Sequence, residues 1–265
     1  MYRELLPIWG PISINSFGLC ISIGFMFFMQ LILRSSARKA LISDQQLNTL
    51  LLGGIAATLL GSRTLYLVQN WHSLHSWTDI FAISDGGLSI MGGILSCIIW
   101  VWFFSIAHHI PTLPLFDTLV LDVPMLQAFG RLGCFCAGCC HGTTCNSWHA
   151  VTYTDPKSFA PLHIPLHPTQ LYSALSLLVI CLILYLIARR KPAPGTLLGV
   201  YLLLSGAERF VIDFWRADRE FMPHHYLKLF SLHQWLALLF IMVAFMLLML
   251  IPRLRPSRIT THEPI

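Results

Sequence analysis

Seven apolar stretches run the length of this chain, at about residues 17–33, 47–68, 88–107, 115–135, 171–188, 196–215 and 232–250. Each is close to the ~20 residues a helix needs to cross the hydrocarbon of a bilayer. Inside that layer every backbone N–H and C=O must be satisfied within the segment, so stretches of this length are read as helices. Only 11% of the residues are charged and 55% are apolar. A water-soluble domain has about a quarter charged residues, and this chain lacks the polar surface to cover a globule in water. No linker, repeat or low-complexity tract interrupts the pattern. The expected fold is therefore all-α integral membrane: one polytopic domain, residues 1–265, with about seven transmembrane helices.

The net charge of +5 does not indicate nucleic acid, because the basic residues lie mostly in short loops between apolar stretches. There they report topology. The loops with Arg34, Arg38 and Lys39 and with Arg189, Arg190 and Lys191, together with the tail carrying Arg253, Arg255 and Arg258, hold nine Lys or Arg. The alternate loops and the N-terminus hold five: Arg3, Lys157, Arg216, Arg219 and Lys228. The N-terminus is expected outside, the C-terminus in the cytoplasm, and a loop at about 137–167 outside. Residues 1–16 lack the basic start, apolar run and small-residue cleavage site of a signal peptide, so the first stretch is expected to remain as a span.

Several charges fall where a membrane tolerates them poorly: Arg63, Asp117, Asp122, Arg131, Glu208, Arg209 and Asp213. Each costs a few kcal/mol or more near the bilayer centre unless paired or hydrated. Arg63 and Asp122 lie close to span ends, where snorkelling suffices. Arg131 is flanked by Gly130 and Gly133, which leave the backbone open to close approach. Arg209 and Asp213 stand at i, i+4 and can hold each other on one helix face. Two arginines inside a bundle suggest an anionic ligand, most simply a phosphate, which a guanidinium grips bidentately.

Four motifs occur in order: Asp85-Gly86-Gly87-Leu88-Ser89-Ile90-Met91-Gly92-Gly93, Gly130-Arg131-Leu132-Gly133-Cys134-Phe135 ending at Gly142, His167-Pro168-Thr169-Gln170-Leu171-Tyr172, and Glu208-Arg209-Phe210-Val211-Ile212-Asp213-Phe214-Trp215-Arg216. Together they resemble the prolipoprotein diacylglyceryl transferases. The family patterns are D-G-G-[LM]-S-x-H-G-G, G-R-x-G-N-F-x-N-x-E-x-x-G, H-P-[ST]-Q-L-Y-E and F-R-x-x-x-E-F-x-R. Gly10-Pro11, Phe17-Gly18-Leu19 and Gly61-Ser62-Arg63 are shorter echoes. Asp117 lies fourteen residues before the signature arginine, as the family's acidic residue does.

The resemblance implies a bacterial inner-membrane enzyme that moves the diacylglyceryl group of phosphatidylglycerol onto the lipobox cysteine of a prolipoprotein. Glycerol phosphate leaves and a thioether forms. The acceptor must become a thiolate, charge on the departing phosphate must be stabilised, and lipid and signal peptide must be brought together without water. No metal or organic cofactor is implied, and no residue is expected to ligate a metal in that reaction. Carried over by motif, Arg131 and Arg209 bind the phosphate and stabilise the leaving group. Asp213 would orient Arg209. Asp117, Gly142, Gln170, Tyr172 and Arg216 match further binding positions.

The sequence departs from the family at Met91 (histidine), Phe17 (tyrosine), Cys134 and Ala137 (asparagines), Cys139 (glutamate) and Ser173 (glutamate). Both arginines are kept. The replacing segment holds Cys134, Cys136, Cys139, Cys140 and Cys145, with His141 among them and His149 and His163 beyond. Three readings of it stand beside simple packing. His141 can supply a new acid–base group with a pKa near neutral. The thiols can form disulfides. Thiolates and imidazoles can also hold zinc or copper(I). Two functional alternatives accompany the transferase: a paralogue with the same lipid site and altered chemistry, which Met91 would favour, and a non-enzymatic thiol-rich metal or redox protein.

Overall fold

The structure, a computed structural model, describes residues 4–9, 12–71, 89–219 and 229–251. Outside these lie Gly10-Pro11, Asp85–Leu88 of the first motif, and five basic residues of the topology pattern: Arg3, Lys228, Arg253, Arg255 and Arg258. The chain is mostly helical, and each of the seven apolar stretches forms helix.

The residues group into two compact units, Met1–Arg34 with Asp117–Ile265, and Ser35–Phe116. The first begins with a hairpin the apolar pattern did not foretell, β1 (Glu4–Trp9) against β2 (Ile12–Asn15), antiparallel. Helix α1 (Ser16–Arg34) follows.

The second unit holds α2 (Ser36–Leu41), α3 (Asp44–Gln69) and α4 (Ile90–Ala107). A capping box starts α3: Gln46 N–H donates to Ser43 Oγ, and Ser43 N–H donates to Gln46 Oε1. It satisfies two of the donors a helix start leaves open. Arg38, 1% exposed, pairs with Asp44. Helices α3 and α4 approach closely at glycines. A Cβ on Gly92 would stand 2.3 Å from the Gly61 carbonyl, and one on Gly61 would stand 1.7 Å from Ser96 Oγ. Small residues at such crossings let membrane helices pack backbone to backbone. This assigns a packing role to Gly61 and Gly92 of the sequence motifs.

Helices α5 (Thr112–Val120) and α6 (Val123–Ala137) occupy the fourth apolar stretch. They are bent by 41° at the break between them. Pro124 explains it, since its ring clashes with the carbonyl four residues back, Val120, where α5 ends. Asp122 at the break accepts a hydrogen bond from Tyr185 Oη.

A loop containing two-residue strands β3 (Val151–Thr152) and β4 (Pro165–Leu166) then leads to α7 (Thr169–Ala188) and α8 (Thr196–Ile212). A 3-10 turn, Asp213–Trp215, continues α8, and α9 is Leu232–Leu250. Val120, Ala128, Leu177, Ile180, Leu184 and Leu197 form the core of this unit. Gly24 of α1 faces Phe129 of α6, where a Cβ would come within 2.5 Å of the Phe129 Cβ.

Among the described residues five helices are long and apolar enough to span a membrane, or six if the bent pair is one span. Their outer faces carry large apolar side chains: Met26 is 70% exposed, Leu60 70% and Met249 72%. Soluble proteins seldom expose apolar patches of this extent, whereas lipid covers them at no cost. The protein is a multi-pass helical membrane protein.

Candidate active site

The second, third and fourth motifs converge at one end of α6, α7 and α8. Arg131 lies on α6 and Arg209 on α8, both half-buried. Arg216, 5% exposed, follows the 3-10 turn. Arg209 is close enough to feel the charges of Arg131, Arg216, Glu208 and Asp213. Arg216 is held by Asp218: Nε donates to Oδ1 at 2.7 Å and Nη2 to Oδ2 at 2.5 Å. Burial works against the charge of both partners. The bidentate pair outweighs it, raising Arg216 further and holding Asp218 below the usual carboxylate range. Among the described residues neither Arg131 nor Arg209 has a hydrogen bond or an ion pair. The like charges of Arg131 and Arg209 repel, and an anion between them relieves the repulsion.

Asp213 lies within charge range of Arg209 but makes its direct contacts elsewhere. Helix α8 ends at Ile212, and Asp213 opens the 3-10 turn that follows. Its carboxylate, 0% exposed, accepts from Ser231 Oγ at 2.5 Å and pairs with Arg219 Nε at 3.4 Å. Asp117 also departs from expectation. Its two carboxylate oxygens accept from Gly195 N–H at 2.6 Å and Leu198 N–H at 2.8 Å, capping the start of α8. Arg209 is eleven residues beyond Leu198, about 17 Å along the helix. Asp117 is thus not at the arginine group. Gly130 and Gly133 admit α1: a Cβ on Gly133 would meet Phe17 at 2.9 Å, and one on Gly130 would meet Ile21 at 3.3 Å.

The signature loop is clamped by backbone. Gly142 N–H donates to the His167 carbonyl, Thr143 N–H to Trp215 and Ala217 N–H to His141. Gly142 thereby pairs with Arg216. Thr169 Oγ1 and Gln170 Nε2 each donate at 2.8 Å to the carbonyls of Cys140 and Cys139. Tyr153, 2% exposed, donates to the Phe135 carbonyl, and burial pushes its hydroxyl up to about 12. Gln170, expected to bind substrate, is engaged as a staple of this loop. Tyr172 stands apart, its Oη 3.2 Å from Nδ1 of His167. His141 places Nδ1 3.0 Å from the Gly142 carbonyl. A carbonyl only accepts, so Nδ1 is the donor in this contact and Nε2 is the ring nitrogen left for other partners.

Two groups of soft donors lie in the loop region. Cys134, Cys139 and Cys140 form one, and Cys145, His149 and His167 the other, with the ligand atoms of each group within 4.8 Å of one another. All described cysteines are free thiols, so the disulfide reading does not hold in this structure. Hydrogen bonds from the Cys134 and Cys139 thiols, with the charges of Arg216 and Arg131, hold Cys140 below the usual cysteine range. Hydrogen bonding with Cys134 and Cys140, and burial, push Cys139 up.

The profile of the family described as Prolipoprotein diacylglyceryl transferase matches residues 3–250. The chain belongs to this family. It is 28% identical over 243 residues to a phosphatidylglycerol–prolipoprotein diacylglyceryl transferase of Clostridium tetani, covering 92% of this chain and 95% of that one. A protein of the same name from Neisseria gonorrhoeae is 31% identical over 250 residues, covering 86% and 88%. One from Clostridium perfringens, named as a second such transferase, is 27% identical over 253 residues, covering 95% and 96%.

Set against the family pattern, the site contains a contact that the motifs alone did not reveal. Ser173, at the position of the family glutamate, donates from Oγ to Glu208 Oε1 at 2.6 Å. The carboxylate missing from α7 is supplied by α8. The only sequence cue was Glu208 standing where the family has phenylalanine. Met91, at the family histidine, lies on α4 in the other unit and is 37% exposed.

Proposed function

We propose that this member of the prolipoprotein diacylglyceryl transferase family carries out the reaction for which its relatives are named. The diacylglyceryl group of phosphatidylglycerol passes to the lipobox cysteine of a prolipoprotein, forming a thioether in the first step of lipoprotein maturation. The observation that carries this reading is the pair Arg131 and Arg209. They are half-buried and without a hydrogen-bonding or ionic partner among the described residues, beside an Arg216 that Asp218 already neutralises.

A phosphodiester shares one negative charge between two oxygens, which a guanidinium grips bidentately. When the acceptor sulfur attacks the glyceryl carbon, the carbon–oxygen bond breaks and negative charge collects on the departing glycerol phosphate. Arg131 and Arg209 stabilise that charge where it develops. The sulfur attacks as a thiolate, and its proton goes to Nε2 of His141, the group poised by the Gly142 carbonyl to accept it. In the proposed topology the chain crosses the bacterial inner membrane seven times as one polytopic domain. Its N-terminus and the 137–167 loop face outward, and the C-terminus lies in the cytoplasm.

The test is transfer of labelled diacylglyceryl from phosphatidylglycerol to a lipobox peptide by the purified protein in detergent. Arg131→Ala and Arg209→Ala are expected to lower the rate by about 10²–10³-fold, the range seen when a transition-state charge donor is lost. His141→Ala should lower it as well. No transfer by folded wild type with lipid present would overturn the reading.

A further inference from the structure

Cys145 Sγ lies 3.9 Å from His149 Nε2, and one nitrogen of His167 lies within 4.8 Å of both. A sulfur at about 2.3 Å and a nitrogen at about 2.0–2.1 Å from one tetrahedral zinc stand roughly 3.6 Å apart. Small side-chain adjustments would bring the three donors onto a single ion.

The backbone assembles this group. Thr144 pairs with Leu166, Cys145 N–H donates to the Pro165 carbonyl at 3.0 Å, and His167 N–H donates to the Thr143 carbonyl at 3.0 Å. Cys145 and His167 sit one residue to either side of that pair. Alternation along a strand turns both to the same face. A turn closed by Ala150 N–H on the Ser147 carbonyl returns His149 toward them. Ser147 N–H donates to Cys145 Sγ at 3.4 Å, which fixes the position of the sulfur. Tyr172 Oη at Nδ1 of His167 orients that ring, as the outer partners of metal-bound imidazoles do.

We propose that Cys145, His149 and His167 bind one zinc ion. A thiolate with two imidazoles suits zinc, whereas calcium and magnesium take oxygen ligands. The trio Cys134, Cys139 and Cys140 is the poorer site, because Arg131 and Arg216 lie within reach of Cys140 and their charges oppose a dication. Solvent completes the coordination. The ion ties the loop at Cys145 to the turn that begins α7. Gly142 is hydrogen-bonded to His167 and paired with Arg216, so the ion also fixes where Arg216 stands. This site departs from the expectation that no residue ligates a metal, and it stands whether or not the transfer reaction does.

The test uses the full chain in detergent, stripped with a chelator and titrated with cobalt(II), then zinc(II). One cobalt per chain is expected, with a sulfur-to-cobalt charge-transfer band that zinc abolishes. Cys145→Ser should remove the band, and His149→Gln should weaken cobalt binding at least tenfold. A variant with serine at Cys134, Cys139 and Cys140 should bind as wild type does. Should Cys145→Ser fail to fold, His149→Gln, altered on a half-buried arm of the loop, decides. The proposal is overturned by the absence of the band in folded wild type, by its persistence in folded Cys145→Ser, by unchanged affinity in His149→Gln, or by its loss in the triple variant.

Discussion

Ser173 Oγ donates a 2.6 Å hydrogen bond to Glu208 Oε1, joining α7 to α8 one residue before Arg209. In the family pattern position 173 is a glutamate and position 208 a phenylalanine. The negative charge has crossed from one helix to its neighbour without leaving the site. Glu208→Phe is expected to lower transfer more than tenfold, because Arg209 then loses its adjacent carboxylate. Ser173→Ala, which removes one hydrogen bond to a charged group, should cost about 1.5–3 kcal/mol of stability with a smaller effect on rate. Combining Ser173→Glu with Glu208→Phe restores the family arrangement and should recover most of the activity. Initial rates for the four proteins form a double-mutant cycle. A double variant no better than Glu208→Phe alone would show that the two positions do not exchange the charge.

Asp117 supports the fold from the far end of α8. Its carboxylate takes two backbone N–H groups that a helix start leaves unpaired. Asp117→Ala should therefore destabilise by about 0.5–2 kcal/mol, the ordinary cost of a lost cap. Thermal unfolding should shift down by a few degrees, while transfer at permissive temperature stays within about twofold of wild type, since a cap this far from the arginines touches no substrate. A large fall in kcat with unchanged Tm would return Asp117 to the reaction.

The helices were legible because membrane spans obey a length rule written in composition. Arg131 and Arg209 were legible because charge in an apolar run is costly enough to need a reason. The roles of their neighbours were not. Gly130 and Gly133 signal close approach, but a glycine does not say to what, and here it is to α1. The i, i+4 rule placed Asp213 on the face of Arg209, yet Ser231 and Arg219, further along the chain, engage its carboxylate. Asp117 caps a helix 78 residues away in sequence, and His167 meets Cys145 across a two-strand strip. Such contacts are set by tertiary pairing and leave no periodic trace.

Gly142 closes the signature loop where no side chain fits. A Cβ there would stand 2.5 Å from His167 Cβ and 2.8 Å from the carbonyl oxygens of both His167 and Trp215. Two of these neighbours are backbone in a hydrogen-bonded strip and cannot step aside. Gly142→Ala should cost about 1–3 kcal/mol and lower transfer at least tenfold by displacing Arg216. Gly18→Ala is the matched control. Nothing lies within 4 Å of a Cβ at Gly18 on α1, so that change should be neutral or stabilise by up to about 1 kcal/mol. Equal losses in the two variants would argue against a steric role for Gly142.

The adjacent thiols of Cys139 and Cys140 should titrate in opposite senses. Hydrogen bonds from Cys134 and Cys139 and the charges of Arg216 and Arg131 hold Cys140 down, against the effect of burial. Cys139 is pushed up by its hydrogen bonds with Cys134 and Cys140 and by burial. A lowered value means that thiolate persists as pH falls, so Cys140 should still alkylate well below the ordinary cysteine value of about 8.5. Cys139 should stay protonated and inert until well above it. Iodoacetamide labelling across pH, with the modified sulfur located by peptide fragmentation, separates the two residues. Arg131→Ala removes one stabilising charge and should move the Cys140 profile to higher pH while leaving its shape unchanged. Parallel labelling of both thiols with one inflection near the ordinary value would show that the arginines do not act on Cys140, and would weaken the case that Arg131 directs its charge into this site.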